Sequence, residues 1–119
     1  MSKAYELGLY EKAMPGTLTW KERLEAAKAA GYDYVEISID ATEEKIARLD
    51  MDRESRLELV KTMYETGLPI RTMCVSALTK YAIGSSDEAC CARGMTILEK
   101  SLQLADDLGI RVVMIPGYD

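Results

Sequence analysis

Apolar and polar residues alternate strictly over residues 32–40, whose sequence is YDYVEISID. Because successive side chains of a β-strand point to opposite faces, valine and isoleucine make up one face of this stretch. The other face carries Glu36, Ser38 and Asp40. The pattern predicts a β-strand that buries one side, although a surface strand of an antiparallel sheet produces the same alternation.

Helical signals lie on either side of this strand. Thr19 and Glu22 have the spacing of a capping box, in which each side chain accepts a hydrogen bond from the other residue's backbone N–H. Ser85 and Glu88 have the same spacing, and Asp52 is a further predicted N-cap. The predicted elements are a strand over 5–10, a helix over 20–30, the strand over 32–40, a short helical turn after residue 42, a helix over 53–66, a strand over 70–77, a helix over 87–108 and a strand over 110–116.

The two longer predicted helices carry apolar residues at spacings of three and four, which is typical of a helix with one buried face. We expect both apolar stripes to face the core. The stripes are Leu57, Val60, Met63 and Tyr64 in the helix over 53–66, and Cys91, Met95, Leu98, Leu102 and Ala105 in the helix over 87–108.

A helix that ends in glycine and is followed by a strand occurs three times, at Gly31, Gly67 and Gly109. The spacing is roughly forty residues, about the length of one βα unit. Such alternation with short connections gives parallel strands with right-handed crossovers. One face of the early strands is polar or small, as on the inner face of a β/α barrel near its carboxyl-terminal mouth. We therefore predict an α/β fold of parallel βα units, about half of a TIM barrel.

Composition and charge narrow the possible partners. The chain of 119 residues has a net charge of −5 and no basic run, which argues against nucleic acid and anionic membranes as partners. No apolar run approaches the roughly 18 residues of a membrane span. Cys74, Cys90 and Cys91 are an odd and poorly spaced set, so we expect free thiols and a cytoplasmic location. The chain has no histidine, the commonest general base and metal ligand.

Several stretches, in register along almost the whole chain, carry a resemblance to a known family: LGLYEKAMP (7–15), YDYVEISID (32–40), ARLD (47–50), ETGLPIRTMCVSA (65–77), GSSD (84–87) and DLGIRVVMIPGYD (107–119). They resemble the L-ribulose-5-phosphate (L-xylulose-5-phosphate) 3-epimerases, also described as hexulose-6-phosphate isomerases, which are xylose-isomerase-like TIM barrels. The resemblance covers the first part of a longer family chain. It implies that residues 1–119 are a single N-terminal fragment of a TIM-barrel domain.

The resemblance also implies a chemistry. These epimerases move a proton at the carbon next to a ketose carbonyl of a sugar phosphate, with a divalent metal of the zinc or manganese type. Two carboxylates on the metal flank the substrate, and each acts as base or acid. In the family the metal ligands come from later strands, so we expect no catalytic residue, no metal ligand and no bound metal in this chain alone, and no activity from it.

Five residues are predicted to bind substrate at the barrel mouth. Each also has a plainer interpretation: a solvated strand carboxylate, small polar fillers for the two serines, or, over residues 10–12 after the first strand, a surface loop. In the loop after the third strand, the family carries histidine and arginines where this chain has a lysine. The predicted substrate-binding residues are Lys12, Glu36, Ser38, Ser76 and Lys80.

A different class of function remains open. The first and last predicted strands are open parallel edges, and such edges tend to pair with another chain. The chain would then be a non-catalytic half-barrel module that forms homo-oligomers through these edges. A carbohydrate-binding remnant without catalysis is a third possibility.

Overall fold

Four parallel strands form one sheet in the order β1-β2-β3-β4 in a computed structural model, which describes residues 4–117. Helices connect the strands, which confirms the predicted α/β fold of parallel βα units. Short 3-10 turns follow β1, α2 and β3, over Glu11–Ala13, Arg48–Asp50 and Ser76–Thr79. The strands and helices are β1 (Gly8–Tyr10), α1 (Trp20–Ala29), β2 (Tyr34–Ser38), α2 (Glu43–Ala47), α3 (Arg53–Thr66), β3 (Ile70–Cys74), α4 (Glu88–Leu108) and β4 (Val112–Met114).

The register aligns the polar face of the sheet. Glu36 of β2 lies opposite Tyr10 of β1 and Thr72 of β3, and Thr72 lies opposite Val112 of β4. Residues at one level of neighbouring strands share a face, so this row runs across the side away from the helices. The other face supplies the core with side chains of at most 1% exposure: Val35, Ile37, Ile70 and Met73.

The helix boundaries follow local signals. The capping box is confirmed, because the Thr19 N–H donates to Glu22 Oε1 at 2.9 Å and the Glu22 N–H donates to Thr19 Oγ1 at 3.1 Å. Asp52 caps α3 as predicted. Gly67 and Gly109 end α3 and α4 with φ of 72° and 74°, a conformation that favours glycine.

The predicted capping box of Ser85 and Glu88 is wrong. Asp87 caps α4, since its Oδ1 accepts hydrogen bonds from the N–H groups of Ala89 and Cys90 at 3.0 and 3.2 Å. Ser85 Oγ instead accepts from the Asp87 N–H at 3.1 Å. An aspartate at this position can satisfy two free N–H groups of the first turn, so the helix begins later than the serine predicts.

The predicted stripe of α3 is wrong at two of its positions. Leu57 is 56% exposed and Tyr64 is 84% exposed, whereas Leu59 and Met63 are buried. The buried side of α3 is displaced from the most apolar side, because the direction from which the sheet and α1 approach determines which face is covered.

The predicted stripe of α4 is wrong in the same way, since Met95 and Leu102 are 41% and 49% exposed. Small residues mark the face that is covered, and they carry no hydrophobic signal. The buried residues of α4 are Gly94, Ile97, Ser101, Leu104, Ala105 and Leu108.

The strands are also shorter than predicted. The first begins at Gly8 rather than at residue 5, and the third ends at Cys74 rather than at residue 77. The chain turns into a 3-10 helix at Ser76, so this residue is not on a strand face.

Candidate functional site

The carboxyl ends of β1, β2 and β3 meet at one edge of the sheet, together with the segments that follow them. In parallel β/α folds this edge is where side chains from separate loops converge. Here the converging segments are residues 10–13, 38–42 and 74–80. These segments carry the polar residues Glu11, Lys12, Ser38, Asp40, Ser76 and Lys80.

Glu11 is the most unusual side chain at this edge, because it is a charged residue that is only 2% exposed. The Arg48 guanidinium donates to both of its carboxylate oxygens, and Lys45 Nζ donates to Oε2 at 3.1 Å. The Ser38 N–H donates to Oε1 at 2.6 Å. Arg23 completes the cluster with its Nε 4.0 Å from Oε2. Three cations therefore surround one carboxylate.

This environment holds Glu11 ionised. Burial alone would raise the pKa of Glu11, but the hydrogen bonds from Arg48 and from the Ser38 N–H outweigh it and place the pKa below its ordinary value. The guanidinium groups of Arg23 and Arg48 also lie 4.9 and 5.1 Å from the centroid of the Trp20 ring. The ring and the carboxylate thus fix both arginines.

The interpretation of residues 10–12 as a surface loop is wrong for Glu11. Its position directly after the first strand was the available signal, since barrel sites gather there. Nothing local to the sequence connects it with Arg48, which is 37 residues away. The ARLD stretch that contains Arg48 contributes to the family resemblance, but the stretch alone does not show that the arginine is directed at a glutamate.

Lys12, the next residue, lies at the same edge. Its Nζ is 2.9 Å from Asp40 Oδ2, and the Thr42 hydroxyl and N–H donate to Asp40 Oδ1 at 2.6 and 2.9 Å. Burial works against ionisation of Asp40, but the bonds from Thr42 and Lys12 outweigh it and lower the pKa to about 2. The hydrogen bond to Asp40 raises the pKa of Lys12 above its ordinary value.

The low pKa of Asp40 predicts an acid-dependent loss of stability. Its folded pKa of about 2 lies below its ordinary value of 3.8, so the stabilisation is complete above that value and is lost as the pH falls toward 2. The free energy of unfolding should therefore fall between pH 5 and pH 2, and we expect Asp40→Asn to make this fall smaller by about 1–2 kcal/mol. Urea denaturation across this range measures it, with Glu58→Gln as an exposed control; an unchanged pH profile in Asp40→Asn would contradict the prediction.

Ser38 is fully buried below these loops. Its Oγ accepts a hydrogen bond from the Tyr10 hydroxyl at 3.0 Å, and it lies opposite Cys74 in the register. Burial raises the pKa of Tyr10. Ser38 is therefore held by main-chain and side-chain bonds to residues 10 and 11.

Glu36 lies one level lower on the same face. The Thr72 hydroxyl donates to its Oε2 at 2.7 Å, which joins β2 to β3 across the inner face. The carboxylate is partly buried rather than fully solvated. Within residues 4–117 no hydrogen bond reaches its second oxygen, Oε1, which can accept from a hydroxyl donor.

Ser76 and Lys80 lie on the segment after β3. Ser76 Oγ is buried and has no hydrogen-bond partner among residues 4–117, whereas Lys80 is exposed with its Nζ 5.2 Å from the Tyr81 ring centroid. The structure thus brings Lys12 and Ser38 into bonded clusters with Asp40, Tyr10 and Glu11. It shows no bond that joins Ser76 or Lys80 to those clusters.

Comparison with known proteins agrees with this architecture. The sequence model of the xylose isomerase-like TIM barrel family matches residues 24–119. The chain belongs to this family.

Curated relatives within the xylose isomerase-like TIM barrel family extend the likeness over the whole chain. L-ribulose-5-phosphate 3-epimerase UlaE of Escherichia coli O139:H28 is 48% identical over 119 residues, which are 100% of this chain and 42% of the relative. The UlaE protein of Shigella boydii serotype 18 matches with the same identity and coverage. The chain therefore spans less than half the length of these curated relatives.

Two solved structures show the same barrel segment. D-psicose 3-epimerase, crystallised in the presence of D-fructose, superposes with a TM-score of 0.73 over 92% of this chain and 36% of its own, at 17% identity. The E. coli 3-keto-D-glucoside 4-epimerase YcjR superposes with a TM-score of 0.68 over 93% of this chain and 37% of its own, at 21% identity. These similarities concern the fold.

The residues present do not fit the divalent metal that the xylose isomerase-like family implies. Within residues 4–117, no three or more histidine, cysteine, aspartate or glutamate side chains are grouped so that they could hold a metal ion. The three carboxylates at this edge have different partners: Glu11 is bound by cations, Asp40 by Lys12 and Glu36 by Thr72. The helices of residues 4–117 are too short or too polar to span a lipid bilayer.

Proposed function

We propose that residues 1–119 supply the N-terminal βα units of a sugar-phosphate 3-epimerase that interconverts L-ribulose 5-phosphate and L-xylulose 5-phosphate in the cytoplasm. The observation that carries this proposal is the 48% identity to the UlaE epimerase over the whole chain. The convergence of hydroxyl and ammonium groups at the carboxyl edge of the sheet supports it. The cysteines are free thiols, as a reducing compartment favours.

In this proposal the chain binds and orients the substrate. Lys12 and Lys80 provide positive charge toward a phosphate, while Glu36 and Ser76 face the polyol and the buried Ser38 supports Tyr10 beside them. Glu36 would accept from a sugar hydroxyl through Oε1, and Ser76 Oγ would find the partner that it lacks within residues 4–117. The proton transfer itself needs a base and an acid on opposite faces of the reacting carbon. Those groups, and a zinc- or manganese-type metal, would come from later parts of the intact enzyme.

The activity test uses the purified chain with Mn²⁺ or Zn²⁺ and L-xylulose 5-phosphate. We expect no turnover above the uncatalysed rate, and clear turnover by the chain alone would contradict its role as a binding portion.

Calorimetry should detect weak heat of binding for the same sugar phosphate. Lys12→Met should weaken that binding at least several-fold, whereas Lys61→Met on the exposed side of α3 should leave it unchanged. Equal binding by both variants would remove Lys12 from the proposed site.

A second candidate function is self-association through the sheet edges, and the last strand favours it. Val112 and Met114 of β4 are 56% and 49% exposed, and within residues 4–117 β4 pairs with β3 alone. Exposed apolar edge strands promote pairing with another chain. A second copy could therefore place its β1 beside β4 and continue the parallel sheet.

Light scattering over a concentration series tests this association. Val112→Lys should shift the chain toward monomer, because a lysine on an edge strand opposes pairing. Leu57→Lys is the matched control, since Leu57 is also 56% exposed but lies on α3. A monomer at all concentrations, or an equal shift in both variants, would contradict association through β4.

A further inference from the structure

Glu11 is the point at which five segments of the chain meet. Its carboxylate belongs to the turn after β1 and accepts from the Ser38 N–H at the end of β2. It also receives Lys45 from α2 and Arg48 from the following turn. The Arg23 side chain links the same cluster to α1, and its Nη2 donates to the Gly16 carbonyl at 3.1 Å.

The ion pair at the candidate site is connected directly to these segments. Lys12 follows Glu11 in the chain, and Asp40 lies two residues after Ser38. Thr42, which also binds Asp40, is the N-cap of the helix that carries Lys45. Both halves of the pair, and the hydroxyl that supports it, are thus attached to backbone that the Glu11 carboxylate holds.

We propose that Glu11 is a positioning residue for the candidate site, which holds the turn after β1 so that the Lys12 ammonium lies against Asp40. Glu11 itself is buried and directs its carboxylate at Arg48 and Lys45, so it acts through Lys12 and Ser38. The inference rests on the proposed function only in treating this edge as substrate-binding. The geometry that it concerns can be measured without any ligand.

The direction in which the pKa of Asp40 changes in Glu11→Gln distinguishes positioning by Glu11 from a simple charge effect. Glu11→Gln removes a negative charge near Asp40, and through Coulomb interaction alone that would lower the pKa of Asp40 further. Loss of the Lys12 contact acts in the opposite direction, because Asp40 then loses a partner that favours its charged form. The titratable groups next to the Lys12–Asp40 pair are the Tyr10 hydroxyl at the end of β1 and the Cys74 thiol at the end of β3, and Glu11 with Lys45 and Arg48 forms the neighbouring cluster.

The experiment follows the Asp40 side-chain carboxyl by ¹³C NMR over an acid titration of the whole chain. In the unmodified protein we expect a pKa of about 2. Glu11→Gln should raise it by roughly one unit toward its ordinary value. Leu59→Ala, which removes a buried side chain of α3 and so lowers stability away from the site, should leave the pKa unchanged.

If Glu11→Gln does not fold, a variant that conserves the charge tests the same inference. Arg48→Lys keeps every charge but cannot make the two-pronged contact with Glu11. Positioning predicts a smaller rise of the Asp40 pKa in this variant, accompanied by faster hydrogen exchange of the Lys12 ammonium. An unchanged or lowered Asp40 pKa in the folded variants would overturn the inference. Sugar-phosphate binding could still be observed in that case, so the two proposals fail separately.

Discussion

Glu11→Ala is expected to lower the free energy of unfolding by about 3–5 kcal/mol, the loss seen when one partner of a buried ion pair is removed. The variant removes the carboxylate that Arg48, Lys45 and Arg23 share. The side chains of these three residues are only 12, 15 and 7% exposed. It also leaves the Ser38 N–H without its acceptor inside the protein. Uncompensated buried cations and an unsatisfied donor each carry a desolvation cost.

Chemical denaturation monitored by Trp20 fluorescence measures this loss, because the ring lies beside two of the arginines. Glu25→Ala is the matched control. Glu25 lies 3.9 Å from Lys21 on the exposed face of α1, and pairs of this kind contribute well under about 1 kcal/mol. A loss of less than about 1 kcal/mol for Glu11→Ala would show that the cluster is hydrated and not a buried ion pair.

Gly94→Ala is expected to destabilise the protein by about 1–3 kcal/mol, although alanine is the better helix former. In the interior of an exposed helix the same change would stabilise by about 0.5–1 kcal/mol. Here a Cβ at position 94 would lie 2.2 Å from the backbone carbonyl oxygen of Tyr81 and 3.2 Å from Ile83 Cγ2. The carbonyl cannot rotate away as a side chain could, so α4 or the loop must move.

The loop that would move carries Lys80, which links this prediction to the candidate site. Cys90 and Cys91 hold the loop with thiol hydrogen bonds to the carbonyls of residues 80 and 83, and Arg93 lies 4.3 Å from the Tyr81 ring centroid. Thermal unfolding compared with Gly84→Ala provides the test, since a Cβ at Gly84 meets nothing within 4 Å. Equal effects of the two substitutions would contradict the close approach.

Much of the fold could be predicted from the sequence because its signals are local. The alternation over residues 32–40 depends only on neighbouring residues, and the observed strand, Tyr34–Ser38, lies within it. Gly67 and Gly109 mark helix ends because a left-handed residue is needed there. Repetition of these units indicated parallel strands, and the polar or small face of the early strands indicated the barrel.

The buried helix faces could not be predicted from apolarity alone. Leu102 and Ser101 are neighbours on α4. The apolar Leu102 is exposed and the polar Ser101 is buried, which is the opposite of what hydrophobicity predicts. The close approach of the loop at Gly94 and the direction of the sheet determine which side is covered. These are contacts between distant parts of the chain.

Sequence by itself determined the parallel βα order, most helix ends and the family, because each depends on short stretches or on their likeness to relatives. Only the tertiary structure decided that Glu11 is buried among cations and that Lys12 is paired with Asp40. Glu11 is separated from Ser38, Lys45 and Arg48 by 27, 34 and 37 residues. A carboxylate becomes the centre of a site only when folding brings such partners together and excludes water, and no local pattern records that event.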